Sequence, residues 1–196
     1  MEQQHYEGVH TLVGIDLQED FIRGRLANPL AEKVLPRAVE KVRNHKGPKI
    51  FTQDTHDKGL FKSSMEGSLP LHCCPQVDVK GWEIAEEIWE AAKESGDFIE
   101  TFEKDTFGNL DWDNTGNTFN PQMKRVLDQS VDITVIGFVS EICVIANLII
   151  LRAMYPDKRI IWDSTCSAGL PDEHGNQPGH EAAKAIARAQ MIEVIE

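Results

Sequence analysis

The sequence predicts an α/β fold in which a parallel sheet is covered by helices on both faces. Three observations predict it. Short, β-branched apolar runs alternate with longer segments of helical periodicity, the order that a parallel sheet with crossover helices requires. The 196 residues suffice for one ordinary α/β domain with a substantial core. No internal repeat, low-complexity tract or linker divides the chain, so residues 1–196 read as one domain.

The elements follow in order. Residues 11–15 (TLVGI) form a strand ending at Asp16. A helix carries Val34, Leu35, Ala38, Val39 and Val42, after Pro29 and before the Gly47-Pro48 stop. Residues 49–52 (KIFT) form a second strand, leading into Asp54-Thr55-His56. The 55–81 connection exceeds the usual loop length, and such loops tend to carry function. A helix with Trp82, Ala85, Ile88, Trp89 and Ala92 ends near Gly96, and residues 97–102 form a third strand running into Lys104. A short helix with Met123, Val126 and Leu127 precedes a fourth strand over 131–139. Residues 141–155 are apolar on almost every face, which predicts a helix buried on both sides and partly covered by a second subunit. Residues 159–162 form a fifth strand ending at Asp163, 181–189 an Ala-rich helix, and 191–195 a final strand.

Composition narrows the function. Apolar content of 41% and charged content of 27% suit a soluble globular protein. No apolar run approaches a membrane span, and the polar residues 1–10 carry no secretory signal. The net charge of −12, with no basic cluster, argues against nucleic acid or an anionic membrane as partner. The four cysteines, Cys73, Cys74, Cys143 and Cys166, lack a disulfide-framework spacing, so the expected location is the cytoplasm, with the thiols reduced.

Chemistry gathers at the strand ends. Right-handed crossovers bring all carboxyl ends to one rim, which would then hold Asp16, the Asp54/His56 pair, Lys104 and Cys143. Cys143 stands on a strand-to-helix corner, where helical N–H groups and the macrodipole favour a thiolate. A lone cysteine is more often structural and a lone Lys104 more often solvated; the joint pattern raises both. Asp16 is the candidate base and proton donor, and Lys104 makes the pocket electropositive. The backbone N–H groups of Val139 and Cys143 are candidate oxyanion donors. This set suits acyl transfer through a thioester. Asp54 and His56 lie on one side of an extended chain, and His72 and Glu66 lie on the loop that follows. Carboxylates with imidazoles suit one divalent ion, zinc foremost, with iron or manganese as alternatives.

These segments, VGIDLQEDF at 13–21, TQDTH at 52–56, LPLHC at 69–73, KDTF at 104–107 and GFVSEICV at 137–144, resemble the cysteine hydrolases of the isochorismatase-like superfamily, and within it the nicotinamidases. DSTC at 163–166 and HEAA at 180–183 match later landmarks. The resemblance implies a three-layer α/β/α fold with a six-stranded parallel sheet, a triad of Asp16, Lys104 and Cys143, and a cis peptide at Phe138–Val139. It implies Asp54, His56 and His72 as metal ligands and Phe21 as a pocket aromatic. Two departures stand out. Leu69 replaces a tryptophan that commonly stacks on the pyridine ring, leaving Phe107 or Trp112 to take its place. Lys62 stands near the place of a further histidine, with Glu66 as the substitute ligand. The expected activity is therefore metal-assisted hydrolysis of a small amide such as nicotinamide, by a homo-oligomer. A metal-independent amidohydrolase of the same fold and a non-catalytic, oligomer-forming member are the alternatives.

Overall fold

Six strands, β1 (Val9–Ile15), β2 (Lys49–Asp54), β3 (Ile99–Lys104), β4 (Ser130–Phe138), β5 (Arg159–Ala168) and β6 (Glu193–Ile195), form one parallel sheet. The structure is a computed structural model and describes residues 8–113 and 121–196. The strand order is β3-β2-β1-β4-β5-β6. The chain builds outward from β1 on one side, then crosses back to place β4 on the other. That reversal opens a crevice between the carboxyl ends of β1 and β4, where open α/β sheets bind ligands.

Seven α-helices are described: α1 (Glu19–Ile22), α2 (Pro29–Asn44), α3 (Val79–Trp82), α4 (Glu86–Glu94), α5 (Pro121–Gln129), α6 (Ile145–Met154) and α7 (Pro178–Ala189). Side chains alternate across each strand, so neighbours feed different cores. Leu12, Phe51, Ile136 and Phe138 pack with Leu35, Ala38 and Val42 of α2 and with Ile88, Ala91 and Ala92 of α4. Val13, Ile15, Ile50, Ile133 and Val135 pack instead with α5, α6 and α7, through Met123, Leu127, Leu148, Leu151, Ala183 and Ala187. The result is the expected three-layer α/β/α arrangement. β1 and β4 meet closely near the crevice. Gly137 has φ +131°, and a Cβ there would stand 2.0 Å from the Ile15 carbonyl oxygen.

Four elements differ from the sequence expectation. The helix expected through Trp82 to Ala92 is interrupted, because residues 83–85 give their backbone to the segment after β1. Glu19 N–H donates to Glu83 O, Ala85 N–H donates to Leu17 O, and Gln18 bridges to Ile84. β3 runs to Lys104 rather than stopping at Phe102, and pairs Lys104 with Asp54. β5 continues past Asp163 to Ala168, with Ser167 and Ala168 pairing with Gly137 and Phe138 after a register shift. The segment after β4 opens as a π-helical turn, Ser140–Val144, before α6 begins. Within the single chain, Ile145, Asn147, Leu148 and Leu151 of α6 face inward and Ile149 is exposed. Among the described residues, no helix is long and apolar enough to cross a membrane.

Candidate active site

Asp16 follows the last residue of β1 and takes φ +49°, a left-handed conformation uncommon outside glycine. Such strain persists where surrounding bonds over-determine it. Here Thr52 of β2 supplies them: its hydroxyl donates to Asp16 Oδ1 at 2.6 Å and accepts the Asp16 N–H at 3.1 Å. Lys104, at the end of β3, places Nζ 2.7 Å from Asp16 Oδ2, 3.7 Å from Asp54 Oδ1 and 3.9 Å from Cys143 Sγ. All four side chains are buried. The three residues expected to form the triad are thus together. The Phe138–Val139 peptide, immediately before the turn that carries Cys143, is cis.

Protonation in this cluster departs from one sequence expectation. Burial and the Asp16 charge push the Cys143 thiol well above its ordinary range, and Lys104 only partly offsets them. The resting sulfur is therefore a thiol, whereas the corner position and Lys104 had suggested a favoured thiolate. Burial also raises the Asp16 carboxyl, against the pull of Lys104. Burial alone would discharge Lys104, yet the charges of Asp16 and Asp54 keep it firmly protonated. Moving the thiol proton to Asp16 leaves the trio with one positive and one negative charge, as before. Internal transfer therefore needs no new charge in the interior, whereas loss of the proton to solvent would leave an extra buried charge.

Beside the triad, one oxygen each of Asp54 and Glu66 and one nitrogen each of His56 and His72 lie within 4.8 Å of one another. His56 Nε2 is 3.0 Å from Asp54 Oδ2 and 3.7 Å from Glu66 Oε2; His72 Nε2 is 3.4 Å and 3.3 Å from the same two oxygens. Three of these four spacings are long for hydrogen bonds. Bonds of about 2.1 Å arranged tetrahedrally would separate neighbouring ligand atoms by about 3.4 Å, and the four nitrogen–oxygen spacings here run from 3.0 to 3.7 Å. His72 Nδ1 is 2.8 Å from the Pro70 carbonyl, an acceptor only, so Nδ1 carries the hydrogen and neutral Nε2 offers a lone pair to the cluster. Both Nε2 atoms are buried without a hydrogen-bond partner, as is Asp54 Oδ1. This donor set fits a divalent cation. Without one, burial would lower His56, but the carboxylates of Asp54 and Glu66 beside it outweigh that and lift it to about 9. The same balance lifts His72 to about 10. The two histidines and Lys104 in turn hold Asp54 well below the usual carboxylate range, despite its burial.

The apolar surroundings are mixed. Phe21 is buried and meets the His72 ring edge-on at 5.7 Å. Phe61, unremarked in the sequence, packs against His56 at 4.9 Å and His72 at 5.5 Å. Leu69 and Phe107 are each about two-fifths exposed, at 40% and 43%. Trp112 does not replace the missing pocket tryptophan: it is fully buried, stacked on Phe102 at 6.5 Å within the core.

Sequence reasoning also missed two polar supports. Gln18 Nε2 donates to the carbonyls of Asp54 and Trp82, and its Oε1 accepts the Asp54 N–H, so one buried amide fixes Asp54 from both sides. Asp20 accepts the N–H of Cys73 at 2.6 Å, pinning the residue after His72. The signal was the alternation of Asp16, Gln18 and Asp20 just past the apolar end of β1.

The Isochorismatase domain family matches residues 10–196 of the chain. No curated protein sequence matches. Solved structures of similar fold include nicotinamidase from Bacillus subtilis, at 19% identity and TM-score 0.69, covering 95% of this chain and 99% of that one. Pyrazinamidase of Pyrococcus horikoshii, in complex with zinc, aligns at 20% identity and TM-score 0.69 over 95% and 98% of the two chains. N-carbamoylsarcosine amidase from Thermoplasma acidophilum aligns at 24% identity and TM-score 0.65 over 96% of each.

Proposed function

The chain belongs to the isochorismatase domain family, and on that premise we propose that it is a metal-assisted cysteine amidase that converts a small carboxamide, such as nicotinamide, to the acid and ammonia. The observation that carries this reading is the convergence of Asp16, Lys104 and Cys143 at the crevice, with Asp54 joining them to the four-residue cluster. Asp54, His56, Glu66 and His72 would hold one divalent ion, zinc before iron or manganese. Bound there, the ion supplies Lewis acidity and a fixed point for orienting the amide. The zinc in the pyrazinamidase neighbour supports that choice.

The chain's own residues carry the chemistry. Asp16 accepts the Cys143 proton while Lys104 stays charged beside both. The sulfur attacks the carboxamide carbon, and the backbone N–H groups of Val139 and Cys143 receive the oxyanion. As the C–N bond breaks, Asp16 returns its proton to the leaving nitrogen, releasing ammonia and leaving a thioester. Water then gives a proton to Asp16 and its oxygen to the acyl carbon; the C–S bond breaks, the acid leaves, and Cys143 regains its proton. Phe21, Leu69 and Phe107 form the candidate walls around the substrate. A homo-oligomer in the cytoplasm completes the reading.

Ammonia release from a panel of small amides, with and without chelator, tests it. Turnover should fall on chelation and return with zinc. Cys143→Ala should abolish turnover while keeping the fold and bound metal. Full activity in Cys143→Ala would remove the thioester, and full activity of metal-free protein would favour a metal-independent amidohydrolase.

A further inference from the structure

Among the buried residues of α6, Asn147 alone is polar. A primary amide has two hydrogens to donate and can accept two bonds, and a buried one is costly unless these are used. Asn147 uses all four. Its Nδ2 donates to Cys143 O at 2.8 Å and to Phe107 O at 3.0 Å. Its Oδ1 accepts the Asn109 N–H at 2.9 Å and Trp112 Nε1–H at 3.2 Å. The first bond stays on the nucleophile's own turn. The other three reach the segment that follows Lys104 and presents Phe107. Packing repeats the linkage: a Cβ on Gly108 would lie 2.6 Å from Ile150 Cδ1 and 3.3 Å from Ala146 Cβ, so this backbone lies directly on α6.

We propose that Asn147 is a positioning residue that clamps the Phe107 wall of the substrate cleft to the nucleophile helix, and so sets how well the amide is held rather than how reactive the sulfur is. It contacts no reacting atom. The inference rests on the amidase reading above for its kinetic consequence, but the clamp itself is readable without turnover.

Asn147→Thr separates the bonds. A threonine hydroxyl can bond back to the carbonyl four residues earlier, here Cys143, but is too short to serve the Phe107 segment. The expected result is a rise in KM of about tenfold with kcat within about threefold. Hydrogen exchange at the Asn109 amide should quicken by at least about tenfold. The alkylation rate of Cys143 by iodoacetamide and the circular dichroism should stay unchanged. Gly108→Ala keeps Asn147 but pushes the same segment off α6, and should raise KM likewise; it remains informative should Asn147→Thr fold poorly. Three results would overturn the proposal: unchanged exchange at Asn109, unchanged KM despite faster exchange, or a fall in kcat or alkylation rate at constant KM. If the unaltered protein turns over no amide, the amidase reading fails, and the clamp is decided by exchange at Asn109 alone.

Discussion

Cys143 shares its buried surroundings with one cation, Lys104, and two carboxylates, Asp16 and Asp54. The Asp16 charge opposes ionisation of the thiol, so removing it while Lys104 remains should favour the thiolate. Asp16→Asn is therefore expected to shift the pH midpoint of Cys143 alkylation downward while cutting turnover roughly a hundredfold or more, because the proton shuttle is gone. An alkylation midpoint that stays put or rises would show that Asp16 does not sense the sulfur. The cluster next door gives a second prediction at this scale. With pKa values near 9 and 10, His56 and His72 both hold a proton at neutral pH in the metal-free protein. Deprotonated ligands bind metal, so zinc uptake at pH 7 should release about two protons, and affinity should rise with pH until the histidines have titrated. An unperturbed imidazole would place that competition near about 6.5; the carboxylates displace it upward. Calorimetry in buffers of different ionisation enthalpy counts the protons, and a count of zero would show that neither histidine holds an extra proton before the metal binds.

Between elements, the tightest joint is the β1–β4 contact beneath the crevice. Gly137→Ala should destabilise the protein by roughly 3 kcal/mol or more, since the new Cβ meets the Ile15 backbone in a left-handed conformation. Gly96→Ala is the control: its φ is also positive, but open space surrounds it, and the loss should be about 1–2 kcal/mol. Denaturant midpoints compare the two. Elements of this kind divide by how far away their determinants lie. β1 and β4 were legible because short runs dominated by apolar and β-branched residues mark strands buried on both faces, and Asp16, Lys104 and Cys143 were legible because chemistry at strand ends shares one rim. The break after Trp82 was not, because its cause is the backbone of residues 17–19, distant in sequence and without any side-chain signature. Trp112 misled for a related reason: an aromatic near the site in sequence was claimed by Phe102 and Asn147 in space. Asn147 itself left a trace, a polar residue in an apolar helix, whose meaning depends on four partners that the helix alone does not name.

For the whole molecule, α6 and the turn before it leave an outer strip of Ile142, Ala146, Ile149 and Ile150 that the described residues cover only in part. Such a strip, in a chain of net charge −12, suits association with a second copy more than with a charged partner. Ile149→Glu is expected to shift sedimentation toward the monomer without loss of fold. A protein that sediments as a monomer before the change would retire the homo-oligomer.

The two ends of the 55–82 segment are held together independently of what lies between them. Thr55 N–H donates to Lys104 O, Trp82 Nε1–H donates to Thr55 Oγ1 at 2.8 Å, and Gln18 and Gln53 both donate to the Trp82 carbonyl. A loop closed at its root by the scaffold tolerates changes in length at small entropic cost. His56, Glu66 and His72 all ride on this segment, whereas Asp54 and Lys104 end β2 and β3, Asp16 follows β1 and Cys143 lies on the turn after β4. On the proposed reading, three of the four residues that would hold the metal are thus supported separately from Asp16, Lys104 and Cys143, so a change in the length of this loop should leave those three in place.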